Sequence, residues 1–260
     1  MNISAVIIAF NEADNIGDAI RSVEWADEIL VVDSESTDDT RDIAASLGAK
    51  VIVQPWLGFS RQKQFATDQA ANDYILSIDA DERVTPELRD EILEIARNTG
   101  TKDGYTIPRL SIYMGRQIRH SGWYPDRQLR LFDRRRGRWN DRVVHESLVM
   151  EQGAEVGRLE KDLHHFTVRD AQHHAQMIAE RYAPLSALQA HKEGKRGSVA
   201  KAVVSGWAAF LRSYVFKLGF LDGEAGYCIA MFAAHYARLK NLILADLNNK
   251  ASNSAADITT

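Results

Sequence analysis

The chain has 260 residues and only one cysteine, Cys228. This excludes an intramolecular disulfide and a cysteine-built metal centre, and the residue reads as a small apolar side chain kept in a reducing compartment. Long apolar runs are also missing, since no stretch reaches the roughly 18–20 uninterrupted apolar residues of a spanning helix. Met1-Asn2 leads directly into the apolar run Ile3–Phe10. With no basic region and no small-residue cleavage site there, no secretory signal is expected. No internal repeat is visible. A glycine-rich phosphate loop after the first strand, which a nucleotidyltransferase would normally show, is replaced by Asn11-Glu12-Ala13-Asp14. Global positive charge is absent too: the formal net charge is -4, and with no nucleic-acid module present, no nucleic-acid partner is expected.

What remains is an ordinary folded composition, 45% hydrophobic and 26% charged, which excludes disordered, collagen-like and coiled-coil classes. The length suits one substantial domain plus an appendage. Short apolar runs at Ile3–Phe10, Ile29–Val32, Val51–Val53 and Tyr74–Ile78 read as buried strands. Between and after them, 11–24, 36–47, 58–71 and 85–96 carry helical spacing. The alternation predicts an α/β fold with a mostly parallel sheet and helices on both faces. From Gly104 the pattern shifts to strand-like pieces at 105–110, 127–132 and 142–150, an antiparallel extension of the sheet. Beyond Phe166 the chain reads as helical to Leu247, and 248–260 as a polar, frayed tail.

Ligands on such sheets sit at the carboxyl ends of the strands, where Asn11-Glu12, Asp33 and Asp79-Ala80-Asp81 fall. Two carboxylates in a D-x-D just past a buried strand can bind a hard divalent cation through oxygen. A cation there can bridge a diphosphate and neutralise a leaving group. Asp33, at another strand tip, can accept from a base N–H or from ribose hydroxyls, whereas Asp38 reads as a helix-terminus carboxylate.

Taken together, Ala9-Phe10-Asn11-Glu12, the run from Asp33 to Thr40 and Asp79-Ala80-Asp81-Glu82 resemble an inverting family 2 glycosyltransferase of the Rossmann-like GT-A fold. Later motifs narrow the resemblance to the lipopolysaccharide core β-1,4-glucosyltransferase group: Gly122 to Phe132, Val144-His145-Glu146 and Leu163-His164-His165-Phe166. The resemblance implies a catalytic domain over 1–166, a helical and membrane-associating region over 167–247, and a disordered tail over 248–260. It implies that Phe10, Glu12, Asp33, Lys63 and Asp79 bind the nucleotide sugar, with Asp33 at the uracil and Asp79 at the ribose. Asp81 and His165 would hold Mg²⁺ or Mn²⁺, and Glu146 would be the catalytic base, with Asp126 the alternative. His164 would point away from His165 if the segment is extended. Gln64 and Glu35 stand where relatives often carry Asn and Gly.

Ten arginines lie between Arg109 and Arg142; of these, Arg127 and Arg130 would reach the donor diphosphate or an anionic acceptor. The apolar and aromatic stretches 199–220 and 227–244, carrying scattered cations, suit either packing on the catalytic domain or a membrane interface. The activity implied is transfer of a hexose, glucose from UDP-glucose, onto an inner-core heptose of lipid A-linked oligosaccharide. The partners implied are a UDP-hexose, a membrane-embedded lipid-linked acceptor and the inner-membrane surface, with the chain cytoplasmic and peripheral on that membrane's cytoplasmic face. The alternatives are the same fold acting on another lipid-linked or protein acceptor, and a non-catalytic nucleotide-binding scaffold.

Overall fold

The computed structural model describes residues 1–97, 101–140 and 146–257, with side chains as far as 250. The chain divides into two compact units, the first formed by Met1–Leu110 and Pro125–His165, the second by Ser111–Tyr124 and Phe166–Thr260.

In the first unit the strands are β1 (Ile3–Ala9), β2 (Glu28–Asp33), β3 (Lys50–Val53), β4 (Tyr74–Asp79), β5 (Glu82–Val84), β6 (Gly104–Tyr113), which runs on into the second unit, and, after the two-residue β7 (Arg116–Gln117), β8 (Asp126–Asp133). They continue with β9 (Gly137–Trp139), β10 (Leu148–Met150), β11 (Val156–Arg158) and β12 (Leu163–Val168), which runs on into the second unit. The main sheet order begins β3-β2-β1-β4-β8-β6. Strands β3, β2, β1 and β4 are parallel, whereas β8 runs antiparallel to both β4 and β6. Strand β5 pairs antiparallel with β12, setting His165 opposite Glu82.

The period of two along β1 explains the layers. Ile3, Ala5, Ile7 and Ala9 face a core completed by α1 (Ile16–Ser22), α2 (Thr40–Ser46) and, from Leu88 and Ile92, α4 (Pro86–Arg97). Val6 faces the opposite core, where Ala66 of α3 (Phe59–Gln69) packs with Ile75 and Phe132. The expected α/β class, with helices on both faces and a helical C-terminal region, is observed. Of the predicted strand 142–150, Leu148–Met150 is β10; 141–145, which includes Val144 and His145, lies outside the described residues.

The second unit contains α5 (Ala171–Gln176), a π turn over Met177–Tyr182, α6 (Ala183–Lys192), α7 (Val199–Leu211), which continues as a π turn to Phe216, and α8 (Gly223–Asp257). Two boundaries differ from the sequence reading. Segment 111–124 groups with the helices rather than with a catalytic domain of 1–166. Tyr113 and Ile118 share a core with Val168, Ala225 and Ile229, and Asp222 accepts from the N–H groups of Arg119 and His120 and from the Ser121 hydroxyl. The final helix also runs to Asp257 rather than ending at Leu247, because the polar tail carries several alanines and no proline or glycine to stop it. Among the described residues, no helix is long and apolar enough to cross a membrane.

Candidate active site

The site lies wholly in the first unit, at the carboxyl ends of β1, β2 and β4. The two loops after β1 and β2 are laced together. Asn11 N–H donates to Ser36 Oγ, and Asn11 Oδ1 accepts from Thr37 N–H, both at 2.8 Å. Glu12 N–H donates to Thr40 Oγ1 at 2.8 Å, and the Glu12 carbonyl accepts from Asn15 and Ile16 to start α1. This leaves Phe10 exposed at 56% on the rim. Asp38 accepts from Thr40 and from Ala13 N–H. Although burial opposes ionisation, these bonds hold its carboxyl below the usual carboxylate value, and it lies just before α2, where the sequence reading put a helix-terminus carboxylate.

Asp33 has partners within its own turn. It is fully buried, and its two oxygens accept from the backbone N–H and the hydroxyl of Ser36. The carboxylate therefore braces the loop after β2. Glu35, inside this turn, has φ +63°, a left-handed conformation that glycine adopts without steric cost. Glu35→Gly is therefore expected to stabilise the protein by about 0.5–1 kcal/mol, seen as a higher urea midpoint with unchanged slope.

Strand parity decides what surrounds the D-x-D. Asp79 shares a face of β4 with Ile75, toward α3, where Lys63 is buried. Lys63 Nζ lies 2.8 Å from Asp79 Oδ1 and 5.1 Å from the centre of the Trp139 ring, a cation–π contact. Gln64 Oε1 accepts from Trp139 N–H at 2.9 Å, so the residue standing in place of Asn ties α3 to β9. The register pairing Ile75 with Phe132 puts Arg130 on the same face as Asp79. Its Nη2 donates to Asp79 Oδ2 at 2.8 Å and to Glu82 Oε1 at 2.6 Å. Burial would raise the Asp79 carboxyl, but Arg130 and then Lys63 pull it far below the usual range. Conversely, Arg130 is held protonated by Asp79 and Glu82 against its burial.

Three residues expected at the donor have protein partners here. Arg130 is only 4% exposed and is committed to these carboxylates, so it anchors the D-x-D rather than reaching a diphosphate. Arg127 donates to the Leu159 carbonyl and the Glu160 carboxylate at 2.8 Å each. Asp79, expected at a ribose, has both oxygens engaged by cations.

Glu82, Arg109 and Arg83 carry site functions that the sequence reading missed. Fully buried Glu82 accepts from Asp79 N–H at 2.9 Å, closing the D-x-D turn on itself, and also from Arg109 at 3.2 Å. Arg109 in turn grips Asp126, its cross-strand partner. Against the effect of burial, Arg109, Gln128 and His165 lower the Asp126 carboxyl, which makes it a weak base. Arg83 donates to the carbonyls of Ala80 and Glu82. The position of Glu82, directly after the D-x-D, was the only sequence signal among these.

The remaining carboxylate of the motif is differently placed. Asp81 is 31% exposed, and its Oδ2 lies 3.3 Å from His165 Nε2, brought there by the pairing of β12 with β5. His165 Nδ1 is buried with no hydrogen-bond partner among the described residues. One carboxylate oxygen and one imidazole nitrogen this close fit a single divalent cation whose other positions are filled by phosphate oxygens and water. Among the described residues, no group of three or more His, Cys, Asp and Glu could hold a metal ion, so the described residues would supply two ligands. Glu146 is half-buried two residues before β10.

The sequence profile described as Glycosyl transferase family 2 matches residues 4–152. An uncharacterised glycosyltransferase of Rickettsia typhi is 33% identical, over 98% of this chain and 90% of its own. A protein of Rhizobium meliloti, described as a lipopolysaccharide core biosynthesis glycosyltransferase, is 32% identical over 91% of this chain and 89% of its own. Among solved structures, a Mycobacterium tuberculosis glucosyl-3-phosphoglycerate synthase crystallised with Mn²⁺, UDP and glucosyl-3-phosphoglycerate is 24% identical, covering 42% of this chain and 44% of its own with a TM-score of 0.35. That last likeness is too slight to argue from.

Proposed function

The chain belongs to glycosyl transferase family 2, and on that premise we propose that it moves a hexose, glucose from UDP-glucose, onto an inner-core heptose of lipid A-linked lipopolysaccharide. The observation that carries the site assignment is the Asp81–His165 pair, open at the strand ends above a buried and charge-neutralised Lys63–Asp79–Arg130–Glu82 network. The acceptor class is supported by the Rhizobium relative's role in lipopolysaccharide core synthesis, and the hexose by the sequence resemblance. A lipid-linked acceptor puts the chain at the cytoplasmic face of the inner membrane.

Asp81 and His165 would hold Mg²⁺ or Mn²⁺. Such an ion, when bound, supplies positive charge to the leaving diphosphate. The chain's own residues do the rest. The β1 and β2 loops, carrying Phe10 and Glu12, receive the nucleotide. Lys63 and Arg130 hold Asp79, and Glu82 holds the turn that aims Asp81. The acceptor oxygen attacks the anomeric carbon opposite the diphosphate, the bond to the diphosphate oxygen breaks, and Glu146 takes the hydroxyl proton.

A panel of radiolabelled UDP- and GDP-sugars, offered with a heptose-bearing lipid acceptor, tests this reading. The expected result is transfer from UDP-glucose, with Glu146→Gln losing on the order of a hundredfold or more in turnover while binding UDP as the wild type does. Near-normal turnover in that variant would remove Glu146 as the base. Transfer from a GDP-sugar alone would overturn the donor.

A further inference from the structure

The second unit carries a surface that the chemistry above does not use. Helix α7 is two-sided. Ala202 and Gly206 are buried, the latter so closely that a Cβ there would meet the Arg238 side chain at 2.4 Å. On the outer side, Val203, Val204, Trp207 and Leu211 are 45–68% exposed, and the chain beyond adds Phe216 at 76% and Phe220 at 47%. Between Arg196 and Leu221 there is no Asp or Glu, whereas Arg196, Lys201, Arg212 and Lys217 are all present and exposed.

An exposed apolar face of this extent marks an interaction site. A second copy docking face to face would set like cations against each other, because a two-fold interface pairs each patch with itself. An anionic lipid surface answers both properties at once. It takes apolar and aromatic side chains at headgroup depth, and its negative charge attracts the interspersed cations. No described helix is long and apolar enough to cross a bilayer, so the face would lie on one. We propose that the outer side of residues 199–221 is a docking surface for an anionic phospholipid bilayer. The surface is argued independently, and only its purpose, access to a lipid-borne acceptor, rests on the function proposed above.

The test is co-sedimentation of the full chain with phosphatidylcholine vesicles, alone or with about a quarter phosphatidylglycerol. Wild type should pellet with the anionic vesicles and far less with the neutral ones, and high salt should weaken the binding. Trp207→Glu combined with Phe216→Glu should reduce vesicle binding about tenfold or more. Arg212→Glu and Lys217→Glu should each reduce it about fivefold. All four side chains are exposed, so the thermal unfolding midpoint and transfer to a water-soluble heptose acceptor should be unchanged. That separates a failure of docking from a failure of the transferase reading. The proposal is overturned if wild type stays in solution with anionic vesicles, or if the Trp207/Phe216 double variant pellets as well as wild type. A dimer that the double variant dissolves, with no vesicle binding by wild type, would also overturn it and assign the face to a second copy.

Discussion

Arg130→Met is expected to lower unfolding free energy by about 3–5 kcal/mol, because it removes the shared cation from two carboxylates without removing the carboxylates. Methionine fills comparable volume, so the loss measures charge rather than a cavity. Among the described residues, fully buried Glu82 would keep one cation, Arg109 at 3.2 Å, and Asp79 would keep Lys63. The pH dependence follows from the direction of the Asp79 shift. Its carboxyl is held below the usual range in the folded state, so its contribution is complete above an unfolded pKa of about 3.9 and is lost as the pH falls below it. The gap between wild type and variant should therefore be widest near neutrality and narrow as the pH drops through the carboxylate range. Urea unfolding at a series of pH values measures this. A variant within about 1 kcal/mol of wild type at neutral pH would mean that the buried network is not what holds the D-x-D in place.

Asp81→Asn should show the opposite separation. Asp81 is 31% exposed and faces His165, so losing its charge should change stability by only about 0.5–1 kcal/mol. Turnover, however, should fall on the order of a thousandfold, because the lost carboxylate is the charged member of the two-ligand set and several kcal/mol of leaving-group stabilisation depend on it. Initial rates measured across a Mn²⁺ titration, beside an unfolding curve of the same preparation, test both halves. Wild-type turnover at saturating Mn²⁺ would remove Asp81 from the site. An equally large loss of stability would make it another structural carboxylate like Asp33.

The D-x-D was legible because its meaning is local: two carboxylates follow a buried strand, and the Tyr74–Asp79 strand is where periodicity placed it. The partnership of Asp81 with His165, residues far apart in sequence, was legible only through family resemblance, and strand pairing supplied the physical route. The turn that Asp33 closes on Ser36 was not legible, because a strand-tip carboxylate looks the same in sequence whether or not it also braces its own loop. Glu35 illustrates the reverse. Standing where relatives often carry Gly, it left the local turn geometry open, and the backbone is left-handed there.

By itself, the sequence determined the order of strands and helices, the two faces of the sheet, and the gathering of acidic loops at one end of it. Hydrophobic period and turn chemistry are written within a few residues of where they act. Only the tertiary structure decided which charges are spent and which are available. Arg127 and Arg130 lie on one strand three residues apart, yet Arg127 donates to Leu159 and Glu160 while Arg130 donates to Asp79 and Glu82. Arg130 meets its carboxylates across 51 and 48 residues of chain. At that separation, strand register rather than local sequence chooses the partner, and the partner fixes whether a charged side chain anchors the site or faces the substrate.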